Sequence, residues 1–165
     1  MKEILREHAL SAYQTIEPYF KKILEGFPEE KFHEKIGTAL TPFELLQHVV
    51  GTPGWWMKQR GTRFPFSSSI KTVDQFFEVL RKQEEYFANA LEDEKELYWK
   101  SKDEEKPRLS IPWIMIRSFN HALHHGAMLI HYRHLYSLPP IQFEKGMHWG
   151  NIVDIPGNLW YGKMD

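Results

Sequence analysis

Apolar residues recur at three- and four-residue steps along four stretches of this chain, the spacing that gathers them on one face of a helix. The first stretch runs from Lys2 to Glu25 and places Ile4, Leu5, Ala9, Ala12, Ile16, Tyr19, Phe20, Ile23 and Leu24 on the repeating positions. Pro18 removes one backbone donor, which predicts a kink there, and Gly26-Phe27-Pro28 ends the helix. After a connector over 28–40, Thr41-Pro42-Phe43-Glu44 opens a second helix. It has the form of a capping box with proline at the first helical position. Phe43, Leu45, Leu46, Val49 and Val50 supply its apolar face, and His48 interrupts that run. Gly51, Pro53 and Gly54 predict a kink, or two helical pieces, just beyond His48.

A loop rich in Phe, Pro and Ser covers 61–71, and Thr72 then caps a third helix over Val73–Leu91. The segment 92–106 is mostly charged and reads as a solvated connector with one amphipathic patch, Leu97-Tyr98-Trp99. The fourth helix lies between Pro112 and the pair Pro139-Pro140. From Ile141 to Asp165, glycines and scattered aromatics predict an irregular tail that wraps over the helices or over a neighbouring subunit. Period-2 alternation never persists. The expected fold is therefore all-α, a four-helix bundle forming a single domain over 1–165.

Composition narrows the function. A formal net charge of −1 over 165 residues gives no electrostatic case for nucleic acid or an anionic membrane. No apolar run is long enough to span a bilayer, and the opening residues lack a secretory signal's apolar core, so a cytoplasmic location is expected. With no cysteine, any metal must be held by nitrogen and oxygen. Six tryptophans exceed what a small core needs, so some should line a pocket or an interface.

Five of the nine histidines fall in the fourth helix. At about 100° per residue, His121 and His125 share a stripe with Ile114, Met128, Leu129, Tyr132 and Tyr136, whereas His124 and His131 lie on another wedge with Arg117 and Asn120. Histidines at i and i+4 can place two ligands on one side of a metal. Two imidazoles in a core without a partner are otherwise costly. A third ligand must come from elsewhere, and His48 is the best candidate. Three nitrogens suit zinc, nickel or iron(II) and leave coordination positions open for water or substrate. His124, His131 and His134 are expected to face solvent or a partner chain, and His8 to be half-buried. Glu44, one turn before His48, either caps its helix or reaches the site as a general base; Trp55 and Tyr132 either pack in the core or wall a pocket.

Three features together resemble the DinB/YfiT-like metalloenzyme family: His48 in a helix opened by Thr-Pro-x-Glu-Leu-Leu, Asn120-His121-x-x-x-His125, and a helix closing as Tyr132-Arg133-x-Leu-x-x-Leu-Pro-Pro. The resemblance extends from the first helix to about Pro140. It implies a four-helix bundle, often dimeric, holding one divalent ion (nickel or zinc, sometimes iron) on His48, His121 and His125. It also implies a small-molecule substrate and thiol S-transfer with a low-molecular-weight thiol, or hydrolysis. Gly126-Ala127-Met128 depart from the family's frequent Arg-Gly-Gln and leave the ligands untouched. The rival expectation is a non-catalytic helical binding or dimerisation module with a vestigial or structural metal site.

Overall fold

A computed structural model describes residues 2–97 and 109–143. They are all-helical: α1 Lys2–Gln14, α2 Ile16–Leu24, α3 Pro42–Arg60, α4 Val73–Ala90, α5 Glu94–Leu97 and α6 Ile111–Leu135, with a 3₁₀ turn at Glu29–Lys31. No strand occurs among the described residues, and no helix among them is long and apolar enough to cross a membrane. Most of the expected tail, with His148, and the residues Tyr98 and Trp99 lie outside the described residues.

The first helix breaks at Thr15 rather than at Pro18. The bond Pro18 cannot make is the one back to Gln14, so the helix opens one turn upstream of the proline. Thr15 holds the junction: its N–H reaches the carbonyls of Ser11 (3.2 Å) and Ala12 (3.3 Å), and its Oγ1 donates to Ser11 O at 2.9 Å.

The kink predicted after His48 does not divide α3, which runs unbroken through Gly51, Pro53 and Gly54. Pro53 forfeits one backbone bond, but side chains tie the turns on either side of it. Thr52 Oγ1 donates to His48 O at 2.9 Å, and Gln83 Nε2 from α4 donates to Val50 O at 2.8 Å. The glycines serve close approach instead of a break. A Cβ at Gly51 would stand 3.1 Å from Ser68 Cβ, and one at Gly54 would stand 3.4 Å from Phe64, so the loop over 62–70 lies flat on the helix. The capping box at its start is formed, with Glu44 N donating to Thr41 Oγ1 (3.1 Å) and Thr41 N to Glu44 Oε2 (2.7 Å). At its end Gly61 takes a left-handed φ of 83°, and Thr62 N bonds back to Met57 O.

α6 packs most extensively on α1 and α3 and also touches α2, while α4 closes over α1, α2 and α3. Phe20, Phe76, Phe87, Leu45, Leu46, Met57, Ile114 and Met115 are fully buried between them. Some polar groups in this core bond one another across helices: Tyr13 of α1 donates to Gln83 Oε1 (2.8 Å), so one side-chain chain links α1, α4 and α3. The charged connector contributes more than solvated surface. Leu97 is buried, and Glu96 in α5 pairs with the buried Arg60 of α3.

Candidate metal centre

The two faces of α3 explain where His48 stands. Leu46, Val49, Val50 and Met57 turn to the core. About 180° away on the helix wheel, Glu44, His48, Gly51, Thr52 and Trp55 form a second stripe, and that stripe lines a cavity of about 600 Å³. His48 is thus exposed at a cavity wall, not set in the buried face as its sequence neighbours suggested.

On α6 the buried face is wider than the stripe read from periodicity and is rotated away from His121. Ile111, Met115, Ala122, Gly126 and Arg133 belong to it, which leaves His121 half-buried at its edge and His125 inside, only 7% exposed. His121 lines the same cavity as His48. The rings of His121 and His125 are 4.3 Å apart between centroids, and each lies 4.8 Å from the ring of His48.

One nitrogen from each of the three histidines lies within 4.8 Å of the others, so these residues could hold a metal ion. Three nitrogens sharing one ion at about 2.0–2.1 Å stand roughly 3.3–3.6 Å apart, so the three rings would draw together on binding one. The donor chemistry also fits. His121 Nε2 and His125 Nδ1 are buried and make no hydrogen bond, a state that costs free energy unless something else takes up the lone pair or proton. Burial first, then the fields of His48, His124 and Arg117, pushes the pKa of His121 down from 6.5 to about 4. Burial first, then His121, His48 and His124, does the same for His125. Both rings are therefore neutral at pH 7, the form that ligates.

The other candidates separate clearly. His124, His131 and His134 are exposed, and His33 is exposed against the ring of Phe43 (4.9 Å). His8 is half-buried on α1. Tyr132 is a core residue whose hydroxyl donates to Leu40 O. Trp55 is a cavity wall, 54% exposed. Glu44 caps α3 with its carboxylate and also lines the cavity, and the bond from Thr41 N holds its pKa below the usual carboxylate range.

Sequence reasoning missed Gln47, which lines the cavity with its Nε2 tied to Ile70 O (3.1 Å), and Ser68, brought there by the loop after α3. The flat seat that Gly51 offers Ser68 was the available signal. Comparison with known proteins finds no matching family model, no matching curated protein and no matching solved structure.

Proposed function

We propose that this chain is a metal-dependent enzyme of the DinB/YfiT type, a four-helix bundle built from α1–α2, α3, α4 and α6. In this reading His48, His121 and His125 hold one divalent ion, nickel or zinc before iron. The observation that carries it is the convergence of these three histidines, two with buried nitrogens lacking any hydrogen bond, at the wall of a cavity large enough for a small substrate. A divalent ion on three imidazoles supplies Lewis acidity, which makes water or a low-molecular-weight thiol nucleophilic at neutral pH.

The chain's own residues set the conditions for that chemistry. α6 presents His121 and His125 from a rigid, buried register, and α3 presents His48 from across the cavity. Trp55 and Trp56 wall the space in which an electrophilic substrate would sit. Glu44, held by Thr41 N through one carboxylate oxygen, is the one carboxylate among the described lining residues and would be the group there to accept a proton from an incoming nucleophile. Thiol S-transfer and hydrolysis differ only in which nucleophile this arrangement takes.

The test is elemental analysis of untagged protein after exposure to Zn²⁺ or Ni²⁺, beside His121→Ala and His125→Ala. The expected result is about one equivalent in the wild type and little in either variant. Wild type far below one equivalent, or variants equal to it, removes the reading and leaves a non-catalytic helical module. With metal bound, turnover of a panel of electrophiles with and without added thiol separates transferase from hydrolase.

A further inference from the structure

The cavity beside the three histidines has an uneven chemistry. Its apolar end is made by Leu40 and the paired indoles of Trp55 and Trp56, whose centroids are 4.3 Å apart and edge-to-face at 81°. Trp56 is held from several sides: Trp113 meets it edge-to-face at 4.9 Å, and the Arg117 guanidinium lies 6.0 Å over its ring. Trp55 is different. It remains 54% exposed at the cavity wall, so an indole that could bury a large apolar area is left facing open space.

The polar side chains in the wall are largely spoken for. Gln47 donates to Ile70 O, and Glu44 accepts from Thr41 N. Glu44 is also the one carboxylate among the described lining residues, and no lysine or arginine joins it there. Arg117 lies outside the lining, over Trp56, with its field reaching the cavity at His121. A ligand carrying negative charge on the part that lies along this wall would meet the Glu44 carboxylate, while the cation that acts on it, Lys35, stands outside the lining.

We infer that the cavity takes a small molecule with a planar apolar ring and no negative charge on that ring, seated on Trp55 and flanked by Trp56, with Glu44 disfavouring anionic analogues. This assigns a substrate class to the proposed metal enzyme and rests on that reading of the cavity. The volume, about 600 Å³, lies in the range that encloses most of a ligand of this size. Offset or edge-on contact with an indole rewards a planar ring beyond the area it buries.

The experiment uses two probes that share one ring, neutral 2-naphthamide and anionic naphthalene-2-sulfonate, with binding followed by equilibrium dialysis. Both are measured against zinc-exposed wild type and His125→Ala, so that the charge of an ion is present in one and removed in the other. Naphthamide is expected to bind both proteins, and at least tenfold more tightly than the sulfonate in His125→Ala. Trp55→Ala, at an exposed position whose removal leaves the core intact, is expected to lose about tenfold in naphthamide affinity with an unchanged thermal midpoint. Glu44→Gln keeps an oxygen for the Thr41 cap and is expected to strengthen sulfonate binding at least threefold.

Sulfonate binding as tight as naphthamide in His125→Ala, or full naphthamide affinity in Trp55→Ala, overturns the inference. The two proposals fail separately. Zinc bound without naphthamide sinks the ring subsite alone, and naphthamide bound to protein that takes up no zinc sinks the metal reading alone.

Discussion

The ring of Tyr19 occupies the space that any side chain at Gly126 would need: an ideal Cβ there would lie 2.1 Å from Tyr19 Cε1. Tyr19 crosses α6 at this point and donates through its hydroxyl to Leu123 O at 3.3 Å. The crossing brings α2 against α6 immediately after His125, so the glycine fixes the seat of a candidate ligand as well as the packing. Any larger side chain at 126, an arginine for example, would displace Tyr19.

Gly126→Ala is therefore expected to destabilise the fold by about 3 kcal/mol, near the upper end of overpacking costs, even though alanine has the higher helix propensity. Tyr19→Ala in the same chain should recover part of that loss by vacating the space. Urea unfolding of the two single variants and the double variant measures both effects. A neutral or stabilising Gly126→Ala would mean that the close approach does not exist in solution.

The buried line from Tyr13 through Gln83 to Val50 O carries a second prediction. Gln83→Leu strands the Tyr13 hydroxyl and removes a tie across the turn that contains Pro53. It should cost about 1–3 kcal/mol, the penalty of an unsatisfied buried group. Tyr13→Phe removes the stranded hydroxyl, so the double variant should be more stable than the sum of the singles predicts. Strict additivity in that cycle would contradict a shared network. The burial that raises the pKa of Tyr13 well above 10 has the same origin and gives a spectroscopic check. Absorbance titration should show Tyr13 silent through the pH range in which exposed tyrosines ionise.

How far these relationships could be read in advance depends on their range along the chain. Local signals were legible: the capping box at Thr41, the cap at Thr72 and the proline-marked start of α6 all sit where the sequence puts them. Pairing between distant segments was not. Gly51 and Gly54 read as breakers, and only the loop over 62–70 lying on them shows that they are contact surfaces. His121 and His125 were separable from His124 and His131 by angle alone. The true centre of the buried face was hidden, since residues such as Gly126 and Arg133 join it only through partners on α2 and the connector after it. His48 illustrates the same limit: periodicity placed it among core residues, whereas the cavity stripe needs a second helix to define it.

Arg133 is one of those hidden core residues and gives a third prediction. Only 6% exposed, it donates from Nη1 to Ile23 O (3.0 Å) and Glu25 O (2.7 Å), and from Nη2 to Pro139 O (2.8 Å). It thus closes the carbonyl end of α2, where a cation is favoured by the helix dipole, and pins the chain beyond α6 to the same point. Arg133→Met keeps the volume and leaves three carbonyls short of a donor, for an expected loss of about 2–4 kcal/mol. Arg133→Lys cannot reproduce the fork and should recover less than half of it. Lysine restoring full stability in thermal or urea unfolding would show that charge alone matters there.

The candidate metal centre makes the last prediction, one that needs no substrate. An ion bound by the folded protein and not by the unfolded chain stabilises it by RT ln(1 + [L]/Kd), about 2.7 kcal/mol at a hundredfold excess over Kd. Added Zn²⁺ or Ni²⁺ should therefore raise the thermal midpoint of the wild type in a concentration-dependent way, with chelator reversing the shift. His125→Ala should abolish the response, because the most buried of the three imidazoles is gone. It should also leave the metal-free protein no less stable than the wild type, since the side chain it removes holds a buried nitrogen with no hydrogen bond. His124→Ala, one residue away but exposed, serves as the control and should keep the full metal response. An equal shift in all three proteins would place the ion elsewhere. A His125→Ala protein that is markedly destabilised without metal would instead assign that imidazole a structural role.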